Sequence, residues 1–214
     1  YPGRYEPARL LALRRQEGVT FSHCVPTILQ MLLDAWGPDD PVTPWTIVIG
    51  GSALTRALHR AAGDRGITAV TGYGMSETAP VLSIAHSLEP PGDSRDAALC
   101  SAGHAIPLVQ LRLVDEAMRD LPADGATQGE LVARAPWLTA GYTNDANAAE
   151  RLWQGGWLHT QDVATVANDG RVVIRDRLKD VIKSGGEWVS SAEMEDLAMR
   201  DSRLAAVAFV AMPD

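Results

Sequence analysis

Lysine is nearly absent from this sequence. Of its 19 basic side chains only Lys179 and Lys183 are lysines, the other 17 being arginines. A chain that uses arginine almost everywhere has kept two lysines within one short stretch, which marks positions that need a compact ammonium rather than a planar guanidinium, against the alternative of chance clustering. Cysteine is equally scarce. Cys24 and Cys100 lie far apart without CxxC spacing, which suggests neither a metal site nor a disulfide framework and makes free thiols in a cytoplasmic protein the simplest expectation. Long apolar runs are missing too, and the amino end has no signal-peptide pattern, so no transmembrane segment is expected. Positive charge is in deficit: the net charge is -8 and the pI near 5.1. That balance argues against nucleic acid or an anionic membrane as partner, since both reward clustered Lys and Arg. There is no internal repeat and no low-complexity tract. What remains is an ordinary globular composition, 46% hydrophobic and 21% charged over 214 residues, long enough to bury a core in one large domain or one and a half smaller ones.

The stretch that organises the chain is GYGMSET, residues 72–78. It follows a short apolar run, residues 67–70, that reads as a buried strand, so the Gly-Tyr-Gly turn is expected at a strand's carboxyl end, where open α/β sheets place ligands. Gly72 and Gly74 would let a ligand approach the backbone. Behind them stand a hydroxyl, Ser76, and a carboxylate, Glu77, suited to a phosphate and its Mg²⁺, a hard cation that takes one or two carboxylates and substrate phosphate oxygens. The bland alternative is a tight turn with an exposed Glu.

Along the chain, residues 4–17 form an amphipathic helix candidate, with Leu10, Leu11 and Leu13 on one side, Arg14 and Arg15 available to solvent and Gly18 as its stop. Residues 19–25 read as a strand. Pro26 opens a helix running to about Trp36, with Gly37 as stop. His23, at that strand's end, is read first as a hydrogen-bonded core residue and second as a ligand or base. A Pro- and Asp-rich loop, residues 38–44, leads to a strand at 45–49. A Gly50-Gly51-Ser52 turn and a helix over 54–62 follow, and with the strand at 67–70 they suggest a parallel βαβ unit. That turn lacks GxGxxG and GKS/T and is a weak phosphate signal by itself. Residues 81–85 could support the site and residues 88–95, with two prolines, read as a loop. From about Val109 the texture becomes β, with strands at 109–114, 130–134, 162–166 and 171–175. Asn168-Asp169-Gly170 is a hairpin turn between the last two. A short helix over 144–152 has Asn144 as its cap. Val181 and Ile182 start a new element, Ser190 and Glu193 form a capping-box pattern before a helix through Met194, Leu197 and Met199, and residues 204–212 read as a last apolar strand.

Five motifs occur in order: GGSAL at 50–54, GYGMSET, GELVARAPWLTAGY at 129–142, GWLHTQD at 156–162 and RDRLKDVIKSGGEWVSSAEME at 175–195. Together they resemble the adenylate-forming superfamily, which includes acyl-CoA synthetases, luciferases and peptide-synthetase adenylation domains. SHCVPTILQMLL at 22–33, GYGMSETAPVLSIAH and KSGGEWVSS are most similar to medium-to-long-chain fatty acyl-CoA synthetases. The resemblance implies an α/β fold. Residues 1–108 would be the βαβ part of a large domain, 109–176 its small antiparallel β subdomain, and 177–214 a hinge and the start of a small α+β C-terminal domain. It implies ATP and Mg²⁺, with CoA as co-substrate and a carboxylic acid, a fatty acid by preference, as substrate. Gly51, Ser52 and Ala53 would line the adenine, Gly72, Tyr73, Gly74 and Met75 would bind the nucleotide, and Ser76 would contact its phosphate. Glu77 would hold the metal, and Asp162 with Arg177 the ribose. Lys179 falls at the family's hinge, and Lys183, Ser184, Gly185 and Gly186 fall where the thioester-forming step takes place, so Ser76, Glu77 and Lys183 are the catalytic candidates. Tyr73 and Trp188 either face ligand or pack. Gln161 replaces the Gly usual in HTGD, read as a subfamily variation because the Asp and the flanking His159 and Thr160 are kept.

The family's Gly-, Ser- and Thr-rich phosphate loop and its late catalytic lysine have no counterpart here, so the chain is expected to be a fragment that is inactive alone. The rival readings are a ligase for an aryl or short-chain acid, a peptide-synthetase adenylation domain and a non-catalytic nucleotide-binding module. A homo-oligomer is left open.

Overall fold

The computed structural model describes residues 4–37, 43–184, 187–198, 204 and 207–210. The chain divides into two compact units, Tyr1–Ile106 and Pro107–Asp214, and each has its own sheet.

The first unit is α/β. Its strands are β1 (Phe21–Cys24), β2 (Trp45–Ile49), β3 (Ile67–Tyr73), β4 (Ser83–Ile84) and β5 (His104–Ala105), joined in that order in one sheet. The first three are parallel and β4 and β5 are antiparallel additions. The WTIVI run of β2 is nearly continuous in apolar residues, as expected of a central parallel strand. On one face Ile47, Ile49, Ile67 and Ala69 pack under two helices, α2 (Pro26–Asp34) through Leu29 and Leu32 and α3 (Arg56–Gly63) through Leu58 and Ala62. These pairs are three and four residues apart, so each helix turns one stripe to the sheet. Pro26 stands in the first turn of α2, and the Thr55 hydroxyl accepts the Leu58 N–H at 3.2 Å to start α3.

Helix α1 (Pro7–Gln16) ends as the sequence predicts. Gly18 adopts φ +62, Val19 N–H bonds Arg14 O at 2.9 Å and Gly18 N–H bonds Arg15 O at 3.4 Å, a Schellman closure. Its solvent face is not as predicted. Arg15 is exposed, but Arg14 is buried one turn beyond the buried Leu11 and lies over the indoles of Trp36 and Trp45. The loop expected at 88–95 gives way at Asp93 to a further helix, α4 (Asp93–Leu99). Asp93 and Asp96, in its first turn, both take the Arg60 guanidinium and tie α4 to α3.

The second unit is an antiparallel meander, β6 (Gln110–Val114), β7 (Gly129–Arg134), β8 (Leu158–Val166) and β9 (Val172–Arg177), followed by a hairpin of β10 (Ile182–Ser184) and β11 (Glu187–Val189). The predicted β8–β9 turn closes through Ala167 N–H to Arg171 O at 2.9 Å, with Gly170 at φ +85. Val114, Val132 and Trp157 form a core cluster, and the guanidinium carbons of Arg112 and Arg134 lie 4.9 and 4.4 Å from the Trp157 ring centroid. Helix α5 (Ala146–Leu152) is capped by Asp145, whose carboxylate accepts the Ala148 N–H at 2.8 Å. Asn144, the expected cap, instead takes φ +59 just before it. Helix α6 (Ser191–Ala198) packs on β9. The side chain of Glu193 and the Met199 end of the predicted helix lie outside the described residues. So does part of the strand predicted at 204–212, and its described residues, Leu204 and 207–210, are not in a strand. Residues 38–42 of the Pro- and Asp-rich loop are likewise outside them. Among the described residues no helix is long and apolar enough to cross a membrane.

Candidate functional site

The sequence-predicted residues of the first unit gather at the carboxyl ends of β1, β2 and β3. A Cβ added to Gly50 would lie 3.1 Å from His23 Nε2 and 3.4 Å from the Gly72 carbonyl oxygen, so the three strand ends converge there. His23 is exposed, which corrects its reading as a core histidine. Gly51, at φ +82, turns the chain away from β2, and Ser52 and Ala53 follow on the surface.

Strand β3 runs further than its apolar stretch. Gly72 pairs with Ile84 and Tyr73 with Ser83, so the turn begins at Gly74 rather than at Gly72. Both glycines are constrained by the protein's own packing, beyond any need of a ligand, Gly74 more tightly than Gly72. A Cβ on Gly72 would meet Val48 Cγ1 at 2.7 Å, and one on Gly74 would lie 1.8 Å from the Pro80 carbonyl oxygen. The next residues, Ser76–Thr78, make a 3₁₀ turn pinned by Thr78, a residue that sequence reasoning left without a role. Its fully buried hydroxyl accepts the Met75 N–H at 2.9 Å and faces the carbonyl oxygens of Met75 and Pro80 at 2.9 and 3.0 Å. The turn leaves Ser76 exposed, with Tyr73, Met75 and Glu77 half-buried. Among the described residues no three His, Cys, Asp or Glu side chains cluster as a metal cage. A single carboxylate at a strand end, Glu77, fits Mg²⁺, which keeps waters and takes its other ligands from substrate phosphates.

In the second unit the predicted residues Gln161, Asp162 and Arg177 share one device. Strand β8 begins at Leu158, so Asp162 is in mid-strand rather than at a strand's start. Glu130 pairs with Val163 and Val132 with His159, which sets Thr160, Gln161 and Asp162 of β8 against Leu131 alone. This is a bulge, and bulges re-aim side chains. Backbone groups that leave the ladder must find other partners. Thr160 Oγ1 donates to Leu131 O at 2.6 Å and accepts the Asp162 N–H at 3.2 Å. Gln161 donates its N–H to Glu130 Oε1 at 3.1 Å, and its carbonyl accepts Leu178 N–H at 2.8 Å. Gln161 takes φ +58, a left-handed conformation that glycine adopts without strain and a glutamine does not. Asp162, 3% exposed, is the ladder partner of Arg177 across β8 and β9, its Oδ1 3.0 Å from the guanidinium Nε.

Arg177, Lys179, Asp180 and Gln161 line a cavity of about 350 Å³. Lys179 is exposed in the turn that closes from Arg177 O to the N–H groups of Asp180 and Val181, both at 2.9 Å. Asp176, a second residue that sequence reasoning passed over, holds the start of α6. Its carboxylate takes the Ser191 N–H at 2.7 Å and hydroxyl at 2.9 Å, while Ser190 Oγ donates to Arg175 O at 2.8 Å. Lys183 and Ser184 lie on β10, with Lys183 opposite Trp188, but their side chains, and Gly185 and Gly186 entirely, are outside the described residues. Trp188 is half-buried, and its carbonyl faces Gln128 Nε2 at 3.5 Å. Glu130 and Thr160 could have been suspected from GELVARA and HTQD, since each stands in a motif; their partnership across 31 and 29 residues could not.

Residues 1–143 match the sequence family described as AMP-binding enzyme. The chain is similar to a long-chain-fatty-acid–CoA ligase of Thermus thermophilus, with 39% identity over 99% of this chain and 41% of that protein. It is 37% identical to a 3-methylmercaptopropionyl-CoA ligase of Ruegeria lacuscaerulensis over 92% of this chain and 37% of that protein. Its fold matches O-succinylbenzoate coenzyme A synthetase of Bacillus subtilis, solved in complex with ATP and magnesium ion, with a TM-score of 0.82 and 25% identity over 99% of this chain and 42% of that one. The chain therefore spans about two fifths of the length of the relatives it matches. With the family match covering more than half of its residues and the motifs placed as described, the chain belongs to the AMP-binding, adenylate-forming enzyme family.

Proposed function

We propose that the chain is the central and carboxyl-side part of an AMP-forming acid–CoA ligase acting on medium or long fatty acids in the cytoplasm. A carboxylate is a poor electrophile, and joining it to AMP with loss of pyrophosphate supplies the leaving group that the CoA thiol then displaces. The protein's task is to hold two anions together and to meet charge developing at the α-phosphate with donors placed beforehand. Gly51, Ser52 and Ala53 line the adenine, and residues 72–75 carry the phosphates past the end of β3. Ser76 offers its exposed hydroxyl to the α-phosphate. Glu77 holds Mg²⁺, which when bound neutralises phosphate charge. Asp162 accepts the ribose hydroxyls with Arg177 beside it. Lys179 is the hinge about which the segment carrying Lys183, Ser184, Gly185 and Gly186 swings in for thioester formation.

The observation that carries this reading is the bulge at Thr160, Gln161 and Asp162. A strand that takes three residues out of register, and gives the Gln161 N–H and carbonyl and the Asp162 N–H new partners, to present one buried carboxylate beside an arginine is built for a ligand. The likeness to the long-chain ligase supports the fatty-acid substrate. The likeness to the 3-methylmercaptopropionyl-CoA ligase supports a second reading, a ligase for a short acid. The test is AMP release by the full-length gene product with ATP, Mg²⁺ and CoA, over straight-chain acids of increasing length, 3-methylmercaptopropionate and benzoate, with Glu77→Ala as control. Turnover that peaks at medium or long chains and is lost in the control is expected. A peak at the short acid selects the second reading, and no turnover on any acid by folded protein leaves a nucleotide-binding module.

A further inference from the structure

We propose that Glu130 is the positioning residue of the ribose site, holding the β8 bulge that presents Asp162; this rests on the reading of Asp162 as the ribose acceptor. Glu130 stands on β7 and is largely buried, its side chain 14% exposed. Its two oxygens take two different donors. Oε1 accepts the Gln161 N–H at 3.1 Å, and Oε2 faces His159 Nδ1 at 2.9 Å. Gln161 is the middle residue of the bulge and His159 immediately precedes it, one residue either side of Thr160. The ladder between β7 and β8 is broken there, so the carboxylate replaces the strand contact that Gln161 N–H lost. The positive φ of Gln161 makes this the conformation in most need of an anchor. Asp162 is the next residue, and the Gln161 carbonyl is tied in turn to Leu178, next to Arg177. One carboxylate on β7 thus holds the residue before Asp162, whose carbonyl is bonded by the residue after Arg177, beside the ladder pair Asp162–Arg177 and without touching either of their side chains.

His159 adds a rule for substitution. Its Nε2 faces Gln154 O at 3.2 Å, so both ring nitrogens face acceptor oxygens. A glutamine at 130 keeps the arrangement satisfied: its carbonyl takes the Gln161 N–H while its amide donates to Nδ1 of the tautomer that carries hydrogen on Nε2. A methionine keeps the volume and removes both bonds. An aspartate keeps the charge but is one methylene too short to reach Gln161.

The test is calorimetric binding of AMP and of 2′,3′-dideoxy-AMP to the full-length gene product. The ratio of the two affinities isolates the ribose contact, and a general loss of packing would lower both affinities together. Wild type is expected to favour AMP by about tenfold or more, the worth of hydrogen bonds to a charged group. Asp162→Ala and Glu130→Met are expected to bring that ratio to within about twofold of unity, while Glu130→Gln restores most of it. Should Glu130→Met not fold, Glu130→Asp is expected to lower the ratio in the same way. A ratio unchanged in Glu130→Met or Glu130→Asp, with Asp162→Ala still abolishing it, overturns the positioning role and leaves the ribose reading standing. A wild-type ratio of unity overturns the ribose reading and this inference with it.

Discussion

The guanidinium carbon of Arg14 lies 4.7 Å from the ring centroid of Trp45, with Trp36 at 5.5 Å and the Thr43 carbonyl oxygen 2.8 Å from Nη2. A charge 6% exposed on a helix is tolerable only when aromatic faces and acceptors replace its water. Here two indoles and the carbonyl and hydroxyl of Thr43 do so. Arg14→Ala is expected to destabilise the first unit by about 2–4 kcal/mol, since it loses stacking and hydrogen bonds and opens a cavity beside the rings. Arg14→Lys should recover little, because an ammonium cannot lie flat on an indole. Urea unfolding followed by tryptophan fluorescence checks this, and an unchanged midpoint in Arg14→Ala rules it out.

Gly72 and Gly74 separate two kinds of glycine requirement. The obstacle to a side chain at Gly72 is a methyl of Val48, which can rotate, whereas at Gly74 it is the backbone of Pro80, in a turn already bound by Thr78. Gly72→Ala is expected to cost about 1 kcal/mol and Gly74→Ala about 3 kcal/mol or more, the range from tolerated to severe overpacking. Thermal unfolding of the two variants gives the order directly. Equal costs would mean that the Pro80 carbonyl moves as freely as the valine.

Local patterns made part of this legible. The strands β2 and β3 were readable because apolar runs bounded by glycine and proline need no distant information, and the β8–β9 turn because Asn-Asp-Gly carries its own conformational preference. Helix α4 was hidden because Pro90 and Pro91 dominate the stretch just before Asp93, where it starts. Arg14 was misplaced because its charge outweighed its spacing, although one turn from Leu11 is where a buried residue falls. The motif order singles out Glu77, Asp162 and Arg177. What lay out of reach was the support of each: Thr78 holding the turn that carries Glu77, and Glu130 and Thr160 holding the bulge that carries Asp162. Those roles exist only once two strands are in register, and register is set by pairing rather than by either strand alone.

The pH dependence of one loop can be read from its hydrogen bonds. Asp124 accepts the Thr127 N–H at 2.7 Å and the Ala126 N–H at 2.8 Å on one oxygen, and the Thr127 hydroxyl at 2.8 Å on the other. These donors, the Thr127 N–H foremost, favour the charged form and hold its pKa down at about 2. A carboxylate in the unfolded chain titrates near about 3.9, so the folded state binds its proton less readily. The contribution to stability is therefore complete above pH about 4 and is lost as pH falls through about 2. Asp124→Asn, which cannot titrate, should differ most from wild type above pH about 4, with the difference shrinking toward pH about 2. Carboxyl carbon NMR titration of Asp124 gives its midpoint independently. A midpoint near the unfolded value would show that the loop's donors do not hold the carboxylate in solution, and the difference between the two proteins would then be flat across this range.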